Sequence, residues 1–397
     1  MLDPIVAFVT RIFQWIGRGL GYLIGILLWP FLWFGSWYAR KGWMLKAIVG
    51  AVVAGIVALY AYFFYATQFW NDFDPDYPQR YLSSTQVSLA GAPVGETGAA
   101  AIAQAQSTAP GTSAPATAPA PATPAAPANA CNRSELVSVT SQLIDFNVNR
   151  NRWVPSMILS KLGLFGIPWK NTPYMDNKAA FQLGINQAMR RTSTELVDTL
   201  GRVRGTAQID SNLQEARTAL AWDEEAWYIG FRGPTRPTPG VYRDAIGHLN
   251  AFNDKLAQCQ TVFDARADNL LTYIDRVAGD LGSTSDILRQ RLDESNLGWF
   301  DPRADDRFWF AYGQLYAYYG LLAAAKVDFA AVIQERNLTR AWEDMTTQLR
   351  TALNMQPWII SNGRESSTLF PSHLATMGFY VLRVRSQLIE IRSILDR

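Results

Sequence analysis

Residues 242–281, YRDAIGHLNAFNDKLAQCQTVFDARADNLLTYIDRVAGDL, carry the strongest periodic pattern in the chain. Tyr242, Ile246, Leu249, Leu256, Phe263, Ala267, Leu270, Ile274, Val277 and Leu281 recur mostly at spacings of three, four and seven, which places them on one stripe of a helix. Asn253 and Gln260 interrupt the stripe with polar side chains. The pattern predicts a single helix of up to about 40 residues with a coiled-coil-like seam, packed inside a bundle or paired with a second copy.

On either side of this stretch the chain continues to read as helix. Gly282 and Ser283 predict a stop and a new N-cap, followed by helices over 302–336, 338–355 and 371–396. Upstream, Gly230 to Gly240 is rich in Gly and Pro and reads as a loop. Ser134 is a candidate N-cap for a helix reaching Asn149, and further helices are expected near 155–164, from Phe181 to Gly205 and over 211–222. An irregular Gly/Pro/Trp stretch separates them at 166–174. No strand alternation of comparable strength is present, so residues 131–397 are expected to form an all-α, multi-helix bundle.

The N-terminal part has a different character. Residues 20–38 and 47–70 hold no charged side chain, and each stretch is long enough for a hydrocarbon core of about 30 Å. One or two membrane helices are therefore expected within 1–70, with candidate spans at 20–38 and 47–68. Neither ends in a cleavage site of the secretory type, so the anchor is expected to be retained. Arg40, Lys41 and Lys46 lie between the two stretches, and Asp72, Asp74 and Asp76 come after the second, which keeps the basic turn cytoplasmic and exports the C-terminal part of the chain. The first stretch either spans, forming a hairpin, or lies in the interface, as Pro30, Trp15, Trp29, Trp33, Trp37, Trp43, Arg11 and Arg18 would suit. Gly17, Gly21 and Gly25, with Gly50 and Ala54 on the second stretch, form small faces for helix packing within the chain or between copies.

Between the membrane region and the bundle lie an acidic juxtamembrane segment, 71–82, and an Ala/Pro-rich segment, 83–130, whose one charge is Glu96. The latter has too little apolar surface to fold and is expected to be a disordered tether of about 40 Å as a coil. Lipid is thus one expected partner. The chain's net charge of +2 leaves no concentrated basic face, which argues against nucleic acid.

Candidate chemistry is sparse. Cys131 and Cys259 are the only cysteines, and an even count in an exported domain suggests a disulfide worth somewhat under about 5 kcal/mol by loop entropy. His248 and His373 have no paired Cys or His spacing, so no metal site is expected, nor any cofactor. Neighbouring carboxylates such as Glu224 and Glu225, or Asp305 and Asp306, read as solvated surface. Phe308, Trp309, Tyr312, Tyr316 and Tyr319 belong to a dense aromatic cluster that either lines a pocket for a hydrophobic ligand or is core.

The stretches QLIDFNVNRNRW (142–153), PWKNTPY (168–174) and FQLGINQAMRRTSTELVDTL (181–200), with residues 214–227, resemble the uncharacterised bacterial inner-membrane family known as domain of unknown function 2333. The resemblance implies a membrane anchor before a helical periplasmic domain, and it carries no functional residues. The expected function is a non-enzymatic interaction or scaffold protein acting through an envelope partner or self-association. The alternatives are a hydrophobic-ligand binder and, third, an enzyme of envelope polymers.

Overall fold

A computed structural model describes residues 3–78, 132–172, 174–202, 209–230, 233–294, 301–363 and 370–397. The chain forms two compact units, Met1–Phe63 and Phe64–Arg397, divided within a helix. The first unit contains α1 (Asp3–Ala39), with Pro30 inside it, and most of α2 (Trp43–Gln68). Tyr38 Oη donates to the Lys46 carbonyl at 2.8 Å and closes the corner between them. Among the described residues α2 is the one helix long and apolar enough to cross a membrane. Val52, Val53, Ile56 and Val57 are exposed along it, an arrangement costly in water and natural in lipid. Positions beside Gly17, Gly21 and Gly25 are open, whereas the Tyr38 hydroxyl lies beside Gly50.

The second unit is all-α, as the periodicity predicts, apart from a short hairpin. Its helices are α3 (Glu135–Asp145), α4 (Ile158–Leu162), α5 (Asn177–Glu195), α6 (Ser211–Leu220), α7 (Thr238–Ala257), α8 (Ala267–Glu294), α9 (Ala304–Asp328), α10 (Ala330–Glu335), α11 (Thr339–Leu353) and α12 (His373–Leu395). Strands Ile229–Gly230 and Gly233–Pro234 pair antiparallel before α7. Helix α9 is buried on nearly all sides from Tyr312 to Ala325 and packs against α3, α5, α8, α11 and α12. A helix apolar all round belongs at the centre of a bundle. Its closest neighbour is α5: a Cβ on Gly184 would meet the Phe310 carbonyl oxygen at 2.0 Å, and one on Gly313 the Phe181 carbonyl oxygen at 2.1 Å.

Several elements differ from the periodic reading. The helix expected over 242–281 is two helices, broken at 258–266. Cys259 adopts φ 58°, its N–H bonds to the Leu256 carbonyl at 3.1 Å and that of Gln260 to the Lys255 carbonyl at 2.9 Å, the pattern of a Schellman stop. That stop normally uses glycine, so no residue type announces it here. The stripe survives because Phe263 returns to the same core, 5.8 Å from Phe329. Asn253 ties α7 to α3, accepting from Ser134 N–H at 2.7 Å and donating to its carbonyl at 3.0 Å. The stop expected at Gly282 and Ser283 is absent. Helix α8 continues through both, and Gly282 makes room for Arg385 on α12 instead. Ser134 and Ser372 do cap their helices, each accepting an N–H three residues on.

The domain boundary also differs. Residues 71–78, read as juxtamembrane, belong to the second unit: Tyr77 is buried in its core, with Trp70 and Phe73 packed against it. The Ala/Pro segment lies outside the described residues. Its flanks, Tyr77 and Ser134, are both buried in the same unit, so it leaves and re-enters one body rather than separating two.

Candidate functional site

The aromatic residues singled out as a pocket are distributed through the core. Phe308, Tyr312, Tyr316 and Tyr319 are buried and Trp309 is partly so. The Tyr316 ring lies 4.4 Å from Tyr77, 5.5 Å from Phe73 and Phe146 and 5.4 Å from Phe181, between centroids. Tyr312 Oη donates to the Leu353 carbonyl at 2.6 Å, and burial raises its pKa. The space a ligand would take is filled by Phe73, Tyr77 and Phe181.

What these rings do instead is receive the end of α2. After Gln68 the chain turns and sends Trp70, Phe73 and Tyr77 among them, with Trp70 stacked on Phe181 at 4.8 Å. Tyr77 Oη donates to the Tyr316 carbonyl at 2.9 Å, and a Cβ on Gly320 would meet the Tyr77 hydroxyl oxygen at 2.1 Å, so any larger residue there would displace the phenol. Lys178 on α5 is 2% exposed and donates to the Ala66 and Phe69 carbonyls, each at 2.7 Å. These are C-terminal carbonyls of α2, where a cation meets both unsatisfied acceptors and the negative helix pole. Burial and the nearby Arg152 lower the Lys178 pKa to about 8, so it remains charged at neutral pH.

Further bonds close the junction. Gln68 Nε2 donates to the Tyr174 carbonyl at 3.0 Å, and Arg152 stacks on the Tyr65 ring at 4.9 Å. Asn71 donates from its backbone to Asn151 Oδ1 and from its side chain to the Arg150 carbonyl, both at 2.9 Å. These partners lie at the end of a π-helical turn, Phe146–Arg150, that continues α3. Gln182 secures that turn by bonding the Asn147 and Arg152 carbonyls. Arg350 on α11 pairs with Asp76 at 2.7 Å. Lys178, Gln182 and Gly320 hold this junction, and no motif in the sequence marks them. A glycine inside the apolar helix α9 is the one signal that could have pointed to it.

Titratable groups gather at three other places. Asp176, just before α5, faces Asp305 and Asp306 at the start of α9: burial and then these neighbours raise its pKa, and burial pushes Asp305 up to about 8. Asp305 and Asp306, read as solvated, are therefore buried and half-buried. The set does not have the geometry of a metal site, and among the described residues no group of His, Cys, Asp and Glu does. His373 Nδ1 accepts from Ser361 N–H at 3.0 Å and lies 3.1 Å from its hydroxyl. The hydroxyl's donor goes to the Pro371 carbonyl, so the pair is a structural clasp at the start of α12 rather than a nucleophile and its base. His248 pairs with Glu215 at 3.1 Å, and Arg236 with Asp244 at 2.6 Å, lining a cleft of about 470 Å³ between α6 and α7. Of the cysteines, Cys131 lies outside the described residues, and Cys259 occupies the Schellman position at the end of α7.

Residues 166–299 and 295–397, more than half of the chain, match a family described as "Uncharacterized protein conserved in bacteria (DUF2333)". Neither the curated proteins nor the solved structures contain a match to this chain.

Proposed function

We propose that this chain, which belongs to the bacterial family DUF2333, is an inner-membrane protein whose α2 crosses the bilayer and whose helical domain acts in the periplasm as a non-enzymatic scaffold for an envelope partner. The observation that carries the reading is the junction. A helix apolar enough to span a membrane ends on a buried lysine, and three of the next ten residues, Trp70, Phe73 and Tyr77, pack into the core of the folded domain. Such a joint ties the end of the apolar helix into the folded domain without a flexible spacer, which serves positioning of a partner at the bilayer better than turnover of a diffusing substrate. Reach along the Ala/Pro segment is no part of it, since both flanks of that segment sit on the domain.

Orientation rests on Arg40, Lys41 and Lys46 before α2 or in its first turn against Asp72, Asp74 and Asp76 after it. A disulfide between Cys131 and Cys259 belongs to the same reading, supported by the even cysteine count. The hydrophobic-ligand alternative loses its support, because the rings that would line the pocket fill the core.

Intact mass of the natively expressed protein after thiol alkylation, with and without reduction, tests the compartment. Alkylation only after reduction is expected. Reaction of both thiols without reduction would overturn the disulfide, and a fusion reporter placed after Ala130 that is active only in the cytoplasm would overturn the periplasmic reading.

A further inference from the structure

The segment between Arg152 and Tyr174 starts and finishes at the last turn of α2. Arg152 stacks on Tyr65 at one end, and the Tyr174 carbonyl accepts from Gln68 at the other. Between these two fixed points the chain runs out through α4 and back, with Trp169 buried at its base and donating to the Leu159 carbonyl at 2.6 Å. At its tip Leu164 and Ile167 exchange backbone bonds of 2.9 and 3.0 Å around Phe165 and Gly166, both at positive φ (51° and 93°). This is a tight two-residue hairpin turn whose geometry usually selects Asn-Gly.

Here the first corner residue is phenylalanine, held in the left-handed region and 82% exposed. Leu162 and Ile167 are each 56% exposed, and Leu164 is exposed beside them. A bulky apolar side chain in a strained backbone state, turned outward, leaves most of its surface to be covered by something other than its own domain. Residues 158–174 contain Lys161 and Lys170 and no acidic residue, a composition suited to an anionic lipid surface. Phe64 and Phe69, beside the junction on α2 and just after it, are also exposed, and aromatic residues at that level form the interfacial belt of a membrane helix.

We infer that the Leu162–Ile167 turn inserts its apolar side chains into the headgroup region of the bilayer that α2 crosses, on the side where α2 ends. This rests on the membrane reading of α2. The turn then gives the domain a foothold of its own in the bilayer, in addition to the span.

The test uses the full chain reconstituted in vesicles of phosphatidylethanolamine and phosphatidylglycerol, with photoreactive benzoylphenylalanine replacing one residue at a time. Phe165 probes the turn, Tyr62 on α2 is the membrane control, and Val262 is the solvent control. Val262 lies beyond the far end of α7, about 20 Å along that helix from Arg243, which bonds Asn149 near the junction. Lipid adducts at position 165 close to those at 62, and roughly tenfold above those at 262, are expected. Adducts at 62 with none above background at 165, or crosslinking of 165 to a second copy, would overturn the inference and leave the membrane reading intact. Absence of adducts at 62 would overturn both.

Discussion

Residues 69–78 and residues 162–167 are both short stretches outside long helices that carry bulky apolar side chains, and the fold treats those side chains in opposite ways. Trp70, Phe73 and Tyr77 enter the aromatic core, whereas Leu162, Phe165 and Ile167 remain exposed. The difference lies in what faces them. Opposite Tyr77 stands Gly320, whose missing Cβ leaves space for the phenol, and Tyr316 offers a carbonyl to its hydroxyl. Around Phe165, among the described residues, no helix of the domain forms a socket deep enough to bury the ring. Hydrophobicity alone therefore does not decide burial; a complementary gap in another element does.

The strongest way to break this contrast is Tyr77→Ala, which empties the socket and removes the hydroxyl from the Tyr316 carbonyl. It should lower unfolding stability by about 3–5 kcal/mol, the usual cost of removing a buried ring. Chemical denaturation in mild detergent checks this, and a loss below about 1 kcal/mol would mean that 69–78 is attached only superficially.

A smaller effect should come from Asp176→Asn, beside the junction. Asp176 and Asp305 bind protons more tightly in the fold than in the unfolded chain, because burial penalises their charged forms. Their stabilisation is complete below the ordinary carboxylate range and is lost as pH rises through about 8 for Asp305. The substitution removes one acid, so the variant should gain about 1–3 kcal/mol relative to wild type on the alkaline side and little in acid. Denaturation midpoints measured across that range decide it.

Phe165→Gly sharpens the other half of the comparison and has the smallest expected effect, with the opposite sign to Tyr77→Ala. Glycine relieves the positive φ, so stability in detergent should stay level or rise by up to about 1 kcal/mol. A loss of several kcal/mol would show that Phe165 is part of the core after all.

Much of the fold is legible in the sequence because helical periodicity reports burial directly. The all-α class, the cap at Ser134 and α2 as an apolar span are all readable from the sequence, whereas the cap at Ser372 is not marked in it. The break at Cys259 is not, since a Schellman stop without glycine leaves no mark and both helices keep the same buried face. Gly282 misleads for the converse reason: it serves close packing of α12, not termination. The junction is the least visible, because its function is distributed over Lys178, Gln182 and Gly320, whose partners lie more than a hundred residues away for Lys178 and Gly320 and about thirty for Gln182. The aromatic cluster at 308–319 is visible as a cluster, but whether it surrounds a ligand or its own chain depends on Trp70, Phe73 and Tyr77.

Residues 64–78 are part of the folded domain, which makes the Ala/Pro segment an excursion from one body. Inserting a specific protease site near residue 105 and cleaving the purified protein in mild detergent tests this most directly. The fragment carrying α2 and residues up to the cut should stay bound to the fragment carrying residues 132–397 through size exclusion, and separate only on denaturation. Release of the helical domain on cleavage alone would contradict the account and restore the segment as a tether.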